Sequence, residues 1–300
     1  MKKILITGAY GQLGTALREH SKEFEGLDFL FTDVQSDDEI MPLDLTDKMS
    51  LTTFINTHTP DWVINCAAYT RVDQAEEDPE GAYRLNADVL KNLLDTASGH
   101  SFRLIHISTD YVFNGRAYRP YREEDNPDPQ SVYGKSKYEG EQIVLGYPQS
   151  MIIRTSWLYS EMGSNFVKTI LRLATEKNTL DVVYDQIGTP TYAGDLATVI
   201  LQVIQNIEEN TRDFQTGIYH FSNEGVCSWY DFALEIVKFL KMKTKIRPVT
   251  SKHFVRPARR PFYSVLAKEK IKENYGVLIP YWKDSLYKCL NNLKSKNNGR

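Results

Sequence analysis

Residues 4–14 read Ile4-Leu5-Ile6-Thr7-Gly8-Ala9-Tyr10-Gly11-Gln12-Leu13-Gly14, and this stretch decides the fold. The apolar residues at its start predict a buried strand, and three glycines, spaced three apart, follow where a helix is predicted to begin. Glycine lets the backbone approach a pyrophosphate, and a helix N-terminus offers free N–H groups and the positive end of its dipole. Although an ordinary strand-to-helix turn is the alternative, this order predicts a dinucleotide-binding loop. Its expected cofactor contacts are Gly8, Gly11, Gln12, Leu13 and Gly14.

Short β-rich segments alternate with longer amphipathic segments through the first half of the chain. Alternating strands and helices imply a parallel sheet covered on both faces. We therefore expect an α/β fold, with a Rossmann-type doubly wound parallel sheet in a dinucleotide-binding domain, residues 1–156. The predicted strands are Lys3–Thr7, Phe29–Asp33, Trp62–Cys66, Arg103–Ser108 and Met151–Thr155, and helices are predicted to follow from Gly11, Thr46, Pro79 and Ser131.

The second half of the chain has a different composition. After about residue 156 the alternation weakens, and aromatic and basic residues become frequent. This change predicts a smaller, helix-rich C-terminal substrate lobe, residues 157–300, with some segments returning to the sheet. The last residues, 294–300, are expected to be frayed.

Composition and charge exclude several classes of protein. The chain has 300 residues, 41% of them hydrophobic, and a net charge of −3, which gives no overall attraction to nucleic acid or to an anionic membrane. Its apolar runs are far too short to span a bilayer. The three cysteines show no CxxC spacing, so we expect reduced, buried thiols and a cytoplasmic location.

Asp33 closes the second predicted strand, where a carboxylate would accept hydrogen bonds from the adenosine ribose and repel a 2′-phosphate. No Arg or Lys lies between Asp33 and Pro42. The cofactor is therefore NADH or NADPH, and Asp33 favours NADH, while Arg18 or a more distant lysine would still admit NADPH.

Two further pairs of residues are expected near the dinucleotide. Asp44 and Leu45 follow the loop after Asp33 and are expected to flank the adenine. Ala67 and Ala68 end the third predicted strand, where small side chains would let the dinucleotide lie close. A purely packing role for the two alanines remains the alternative.

Tyr133 and Lys137 are four residues apart in a segment predicted to be helical, so the phenol and the ammonium share one face. A nearby cation stabilises phenolate and lowers a pKa that is normally about 10. The pair therefore predicts a proton donor, although such pairs are also common on solvated helix faces. Thr109 ends the fourth predicted strand at the edge where open α/β sheets bind ligands. Its hydroxyl would hydrogen-bond a substrate carbonyl oxygen or simply cap the strand end.

These motifs follow one another in a familiar order. The glycine loop, Asn65-Cys66-Ala67-Ala68, Ser108-Thr109-Asp110 and the pair Tyr133 and Lys137 resemble the extended short-chain dehydrogenase/reductase superfamily. Further segments, spread over nearly the whole chain, resemble the dTDP-4-dehydrorhamnose reductase family. These segments are residues 108–113, 133–137, 154–159, 165–169, 185–191 and 260–261.

The resemblance implies a reaction and the roles of individual residues. NAD(P)H would deliver hydride to C4 of dTDP-4-dehydro-L-rhamnose, and the product dTDP-L-rhamnose would serve cell-surface polysaccharide. Tyr133 would donate the proton, Thr109 would hydrogen-bond the same oxygen, and Lys137 would hold the nicotinamide ribose and depress the Tyr133 pKa. The implied substrate-binding residues are Thr109, Asp110, Tyr133, Trp157, Asn165, Trp229 and Arg260.

Alternatives stay open for some of these substrate residues. Trp157 and Trp229 would stack on the sugar or the base, but a tryptophan is also a common core residue. Arg260 would pair with the diphosphate as a bidentate fork or remain a solvated charge. The histidines are scattered without ligand spacing, so no catalytic or metal role is expected for them.

One departure from the family concerns a metal. Some members join two subunits through Mg²⁺ held by carboxylates, one of them just after the glycine loop. Here that place reads Thr15-Ala16-Leu17, and Gly194-Asp195 offers only one acid. A hard cation needs several oxygen ligands. Mg²⁺ is therefore doubtful, and a homodimer is left open without it.

Two other functions compete with this hypothesis. Another extended short-chain enzyme, such as a nucleotide-sugar epimerase or a reductase of a different 4-keto sugar, would share Thr109, Tyr133 and Lys137. A noncatalytic regulatory subunit, of the kind related to methionine adenosyltransferase, would be indicated by loss of the tyrosine or lysine, and both are present. The motifs leave the stereochemistry at C4 undetermined.

Overall fold

The computed structural model describes residues 1–298 and contains both strands and helices in the predicted alternation. The strands are β1 (Lys2–Thr7), β2 (Leu27–Asp33), β3 (Ile40–Pro42), β4 (Trp62–Asn65), β5 (Arg103–Thr109), β6 (Ser150–Thr155), β7 (Leu158–Tyr159), β8 (Thr179–Val183), β9 (Ile187–Gly188), β10 (Thr191–Tyr192), β11 (Gly217–His220), β12 (Cys227–Ser228) and β13 (Lys245–Val249). The helices are α1 (Gln12–His20), α2 (Lys48–His58), α3 (Pro79–Tyr83), α4 (Val89–Thr96), α5 (Val132–Leu145), α6 (Phe166–Glu176), α7 (Ala193–Glu208), α8 (Trp229–Phe239), α9 (Glu269–Tyr275) and α10 (Trp282–Asn298).

Seven parallel strands form the central sheet in the order β11-β6-β5-β4-β1-β2-β3. From β1 the chain proceeds outward to β2 and β3, and then returns to build the other half from β4. The topological switch point therefore lies between β1 and β4. In open sheets of this kind the ligand crevice lies beyond the carboxyl ends of the strands at the switch point. Here those ends are Thr7 and Asn65, which face each other in the register.

Successive residues of β1 enter two different cores because neighbouring side chains of a strand point to opposite faces. Ile4 and Ile6 pack on one face of the sheet with apolar residues of α1 and α7. Leu5 packs on the other face with residues of α2 and α4. A strand buried on both faces must be continuously apolar, which is why the run at the start of the chain is so clear a signal.

A third core lies outside the large sheet. Helices α6, α8 and α10 supply most of its apolar residues, together with β8. Strand β8 pairs in parallel with β13, and the two form a small separate sheet. This cluster is built from residues beyond 156. However, α7 and β11, also beyond 156, pack in the core of the large sheet, so a division of the chain at this residue stays a prediction.

The five predicted strands and the four predicted helix starts are confirmed to within two residues. The sequence analysis missed β3 and did not locate β11, the segment that returns to the sheet. β3 has only three residues, and β11 begins at a glycine and ends at a histidine, so neither shows a clear apolar pattern. The expectation of a frayed tail is wrong for residues 294–298, which continue α10. The last two residues lie outside the described range.

Within residues 1–298, no helix combines the length and the apolar character needed to cross a bilayer. None of the three cysteines forms a disulfide with another described residue. Cys227 and Cys289 are buried as expected, while Cys66 is half-buried.

Candidate active site

Two glycines of the nucleotide loop are required by close backbone contacts. Gly8 has φ +69°, and a Cβ there would lie 2.7 Å from the backbone nitrogen of Ala67. A Cβ on Gly14 would lie 2.2 Å from the carbonyl oxygen of Gly8. The loop is therefore pressed between the end of β4 and the first turn of α1, which brings the helix N-terminus to the switch point.

The N-terminus of α1 lacks a capping side chain, because its N-cap residue is Gly11. In contrast, Ser131 caps α5 and Asn165 caps α6, each through a side-chain oxygen that accepts a backbone N–H. The first N–H groups of an α-helix have no partner within the helix. Those of Gln12 and its neighbours are thus available to an anion, and this uncapped end fits the pyrophosphate of a dinucleotide.

The Asp33 carboxylate lies at the end of β2 and is held by two backbone groups. Its Oδ2 accepts the N–H of Tyr10 at 3.0 Å, and its Oδ1 accepts the N–H of Val34 at 2.8 Å. Each oxygen keeps a lone pair for a ribose hydroxyl. The residues that follow are acidic as well: Asp37 accepts the Tyr10 phenol at 2.6 Å and lies beside Arg18.

The other expected cofactor residues have different environments. Asp44 is exposed and accepts the backbone N–H and the hydroxyl of Thr46. Leu45 is buried in the core that also contains Leu5. Ala67 and Ala68 are half-buried just beyond β4, directly beside the glycine loop.

Lys137 is buried in the middle of α5, with 2% of its surface exposed. Its Nζ donates to the carbonyl oxygen of Ile107 at 2.7 Å and lies 3.2 Å from Nε2 of His106. Burial lowers the pKa of Lys137 to about 8, although the nearby Glu141 carboxylate acts in the opposite direction.

The Tyr133 phenol has a pKa raised above its ordinary value, because it is buried and its anion would lose hydration. A hydrogen bond with Thr109 acts in the opposite direction, and Lys137 is not among the groups that shift this pKa. The expectation that Lys137 depresses it is therefore wrong for this structure. The physical reason is the direction of the ammonium, which faces Ile107 and His106.

Thr109 makes hydrogen bonds with the two residues that follow it. Its hydroxyl donates to Asp110 Oδ1 at 3.0 Å and accepts the N–H of Tyr111 at 3.2 Å. The capping role is confirmed, and the hydrogen bond to a substrate oxygen stays a prediction. Asp110 is buried, and burial raises its pKa to about 7. The Tyr111 ring packs edge-on against that of Tyr133, with centroids 5.4 Å apart.

A cleft of about 900 Å³ opens beside Tyr111. Trp157 and Trp229 line it as a stacked pair, with ring centroids 3.6 Å apart and planes 9° from parallel. Trp157 has φ +50°, an unusual backbone conformation for a residue with a side chain. The indole ring of Trp157 packs directly over Gly188, where a Cβ would lie 2.7 Å from the ring.

The arginines at the mouth of the cleft are not equivalent. Arg260 donates to Asp73 at 2.7 Å and to the Tyr111 hydroxyl at 3.2 Å, so its charge is neutralised within the protein. Arg259 also lines the cleft, and its guanidinium donates to the Gln130 amide oxygen at 3.3 Å. Arg256 lines it too, with no ion pair to any described residue.

Asn165 lines the same cleft and also connects it to the nucleotide loop. Its Nδ2 donates to Gln12 Oε1 at 2.9 Å, and its Oδ1 accepts the N–H of Lys168 as the cap of α6. The Ser160 hydroxyl donates to the same Gln12 oxygen at 3.1 Å. One glutamine of the cofactor loop thus contacts two segments beyond residue 156.

The carboxylate of Asp195, the single acid of Gly194-Asp195, accepts hydrogen bonds from side chains of the protein. Asp195 is 8% exposed, and its Oδ2 accepts the Asn223 amide at 2.6 Å and the hydroxyl of Ser285. Thr15 on the neighbouring α1 is buried. Across the part of the chain that the structure describes, no group of three or more His, Cys, Asp or Glu side chains could hold a metal ion.

Four residues of this region were given no role of their own in the sequence analysis: Asn65, Asp73, His106 and Tyr111. Asn65 and Tyr111 appeared only within motifs that carried the family resemblance, and the histidines were expected to have no catalytic or metal role. His106 and Asn65 do have a local signal, since each lies near the end of a buried strand at the switch point. Asp73 has none, because its partner Arg260 is far away in the sequence.

The comparisons with known proteins agree with the family that the motifs resemble. The family model described as RmlD substrate binding domain matches residues 1–295. A dTDP-4-dehydrorhamnose reductase of Aggregatibacter actinomycetemcomitans is 40% identical over 293 residues, which cover 95% of this chain and 97% of that protein.

Two solved structures extend the comparison. A dTDP-4-dehydrorhamnose reductase from Clostridium acetobutylicum is 43% identical, with a TM-score of 0.89, and the match covers 97% of this chain and 99% of that one. A dTDP-4-dehydrorhamnose reductase from Bacillus anthracis, solved in complex with NADP, is 37% identical with a TM-score of 0.87 and the same coverage. The motif resemblance is thereby confirmed over nearly the whole length. The chain belongs to the dTDP-4-dehydrorhamnose reductase family of NAD(P)H-dependent oxidoreductases.

Proposed function

We propose that the protein reduces the C4 keto group of dTDP-4-dehydro-L-rhamnose to dTDP-L-rhamnose with NADH or NADPH, and that Tyr133 donates the proton. The observation that carries this proposal is the convergence of Tyr133, Thr109 and Lys137 at the carboxyl edge of the sheet, close to the uncapped helix α1. When bound, the dinucleotide supplies the hydride. The protein supplies the proton, the orientation of the ketone and the exclusion of water.

Tyr133 carries the proton that general acid catalysis needs. Because burial raises its pKa, the phenol is fully protonated at neutral pH and holds a proton for the oxygen that gains charge. The Thr109 hydroxyl, hydrogen-bonded with the phenol, would contact the same oxygen. General acid catalysis typically contributes about 10²–10⁴ in rate.

Other residues would hold the dinucleotide. The N–H groups at the start of α1 would contact the pyrophosphate, Asp33 the adenosine ribose, and Lys137 the nicotinamide ribose. Asp33 ends β2 and Asp37 lies in the loop that follows. The two carboxylates favour NADH, since a 2′-phosphate would be repelled there. The relative from Bacillus anthracis holds NADP, so the assay must compare both cofactors.

The cleft of about 900 Å³ is within the usual size range of small-ligand sites. The stacked Trp157 and Trp229 provide a rigid apolar wall for the thymine base or the sugar. We assign the diphosphate to Arg256 and Arg259, in place of Arg260, because Arg260 is already neutralised by Asp73. Asp110 and Asn165 remain candidate sugar contacts.

The cellular setting is part of the same proposal. Cysteines without a disulfide among the described residues fit a cytoplasmic location, where the reduced state of cysteine is maintained. A homodimer stays a prediction, and the internal hydrogen bonds of Asp195 support the view that Mg²⁺ is not held at that position.

The test follows NADH and NADPH consumption with dTDP-4-dehydro-L-rhamnose, generated in place from the 4-keto-6-deoxyglucose nucleotide. We expect stoichiometric oxidation to dTDP-L-rhamnose, faster with NADH, and a loss of about 10²-fold or more in kcat for Tyr133→Phe. Tight cofactor binding without oxidation would reject the rhamnose assignment. Other keto sugars, epimerisation and a binding-subunit role would then be assayed in that order.

A further inference from the structure

A series of hydrogen-bonded, buried polar side chains begins at Lys137 and crosses strands β5, β4 and β1. Lys137 Nζ lies 3.2 Å from His106 Nε2, and His106 Nδ1 lies 3.1 Å from the Asn65 amide. The series ends at the Thr7 hydroxyl, which donates to Asn65 Oδ1 at 2.6 Å. None of the four side chains is more than 2% exposed. Buried polar groups placed in series are costly unless each finds a partner.

The hydrogen bonds that Lys137 makes fix the direction of its remaining N–H group. An ammonium carries three N–H donors in a tetrahedral arrangement. One donates to the carbonyl oxygen of Ile107 at 2.7 Å, and the second is directed at His106 Nε2. Two occupied donors leave the third with a single direction in space.

The protonation state of His106 decides whether its Nε2 can accept a hydrogen bond from Lys137. Burial lowers its pKa well below 6.5, and the Lys137 charge acts in the same direction, so the ring is neutral. The charged or titratable groups that act on Lys137 from its surroundings are Glu141 on α5 and the Cys66 thiol after β4. The Asn65 amide presents a donor on one side and an acceptor on the other, and the Thr7 hydroxyl can donate or accept. The amide points Nδ2 at His106 Nδ1 and Oδ1 at the Thr7 hydroxyl. Because the Lys137 ammonium can only donate, every group is satisfied when Nε2 accepts, Nδ1 carries the proton of the ring, and the Asn65 amide turns over to present Oδ1 to Nδ1.

We infer that His106 is a positioning residue whose Nε2 accepts a hydrogen bond from Lys137 and thereby directs the remaining N–H of Lys137 toward the nicotinamide ribose. The inference rests on the proposed role of Lys137 as the residue that holds that ribose. It assigns no contact with substrate or cofactor to His106 itself.

The consequence for activity is specific. Without an acceptor at Nε2, the ammonium loses one of two hydrogen bonds that hold it, and its charged form is less stable. Loss of a hydrogen bond to a charged group changes an equilibrium by about tenfold or more. The effect falls on NADH affinity and on kcat, while the KM of the sugar nucleotide changes little because the substrate cleft is separate.

The test uses a matched pair of variants. His106→Phe keeps a flat ring of similar size and removes both nitrogens, and His106→Gln places an amide near the position of Nε2. We expect His106→Phe to weaken NADH binding and lower kcat, each by about tenfold or more. The alkaline limb of the kcat profile should move to lower pH, because the Lys137 ammonium is less stabilised. His106→Gln should restore most of the rate and return that limb toward the wild-type position.

A measurement on the unaltered protein decides the question if His106→Phe does not fold. Nitrogen-15 NMR of labelled histidine should show His106 neutral between pH 6 and 8, with the proton on Nδ1. A proton on Nε2, or a cationic ring in that range, overturns the inference. So does a folded His106→Phe variant with wild-type kcat and an unmoved alkaline limb, or a His106→Gln variant that folds but shows no recovery.

Failure of the proposed reaction would be recognised separately. Neither the NMR experiment nor NADH affinity requires the sugar. A wild-type protein that binds NADH and shows the expected His106 tautomer, yet leaves the keto sugar unreduced, would reject the reaction and keep the positioning role.

Discussion

The edge of the sheet proposed to bind the cofactor and the cleft proposed to bind the substrate are neighbours, but most residues that line the cleft lie beyond residue 156. The cofactor edge is made of backbone: the glycine loop, the start of α1 and the end of β4 meet with no room for a Cβ at Gly8 or Gly14. The proposed substrate cleft is lined by side chains, among them the stacked tryptophans and three arginines. A side-chain atom added at Gly8 or Gly14 should therefore disrupt the cofactor edge. A substitution in the cleft should leave the fold intact and only weaken the binding of the sugar nucleotide.

The sharpest test of this contrast is Gly14→Ala. The added Cβ would lie 2.2 Å from the Gly8 carbonyl oxygen, so α1 must move away from the loop. We expect NADH binding to be lost and the melting temperature to fall, since overpacking typically costs about 1–3 kcal/mol. Calorimetric titration and a thermal melt measure the two effects.

Gly99→Ala is the control for this change, because the nearest atom to its Cβ would be 3.5 Å away, in the ordinary contact range. It should bind NADH like the wild type. Normal cofactor binding by Gly14→Ala would remove the distinction between the two regions.

A smaller effect is expected at the cleft. Arg256→Ala should raise the KM of the sugar nucleotide by about tenfold, the value of a charge-assisted hydrogen bond, and leave the melting temperature unchanged. Arg260→Ala should instead lower the melting temperature, because it leaves the Asp73 carboxylate without its partner. Steady-state kinetics and thermal melts on both variants separate binding from stability.

Arg122→Ala is the control, since this arginine is exposed and does not line the cleft. A KM that rises for Arg260→Ala but not for Arg256→Ala would return the diphosphate to Arg260.

The smallest effect concerns Asp110, which lies where the two regions meet. Its pKa is raised to about 7 in the folded protein by burial, above the value of about 3.9 in an unfolded chain. The folded state therefore retains the proton between pH 4 and 7, and this group makes the protein progressively less stable as pH rises through that range.

Asp110→Asn should remove that dependence. The melting temperature of the variant relative to wild type should be higher at pH 8 than at pH 5, by about 2–4 °C for each kcal/mol. Thermal melts at the two pH values measure the difference. An equal difference at both would show that Asp110 titrates normally.

The sequence by itself determined the order of strands and helices, the nucleotide loop and the positions of Thr109, Tyr133 and Lys137. These features are local: a strand buried on both faces must be apolar, a tight turn requires glycine, and a helix places residues four apart on one face. A single stretch of chain carries each of them. The resemblance to one reductase family then followed from the order of the motifs.

Tertiary structure decided what each side chain faces. Arg260 is paired with Asp73, so the diphosphate assignment moves to other arginines. Lys137 faces Ile107 and His106, so the pKa of Tyr133 is governed by burial and is raised. Charge pairing, burial and the direction of an ammonium depend on which distant segments fold together, and no local pattern of residues contains that information.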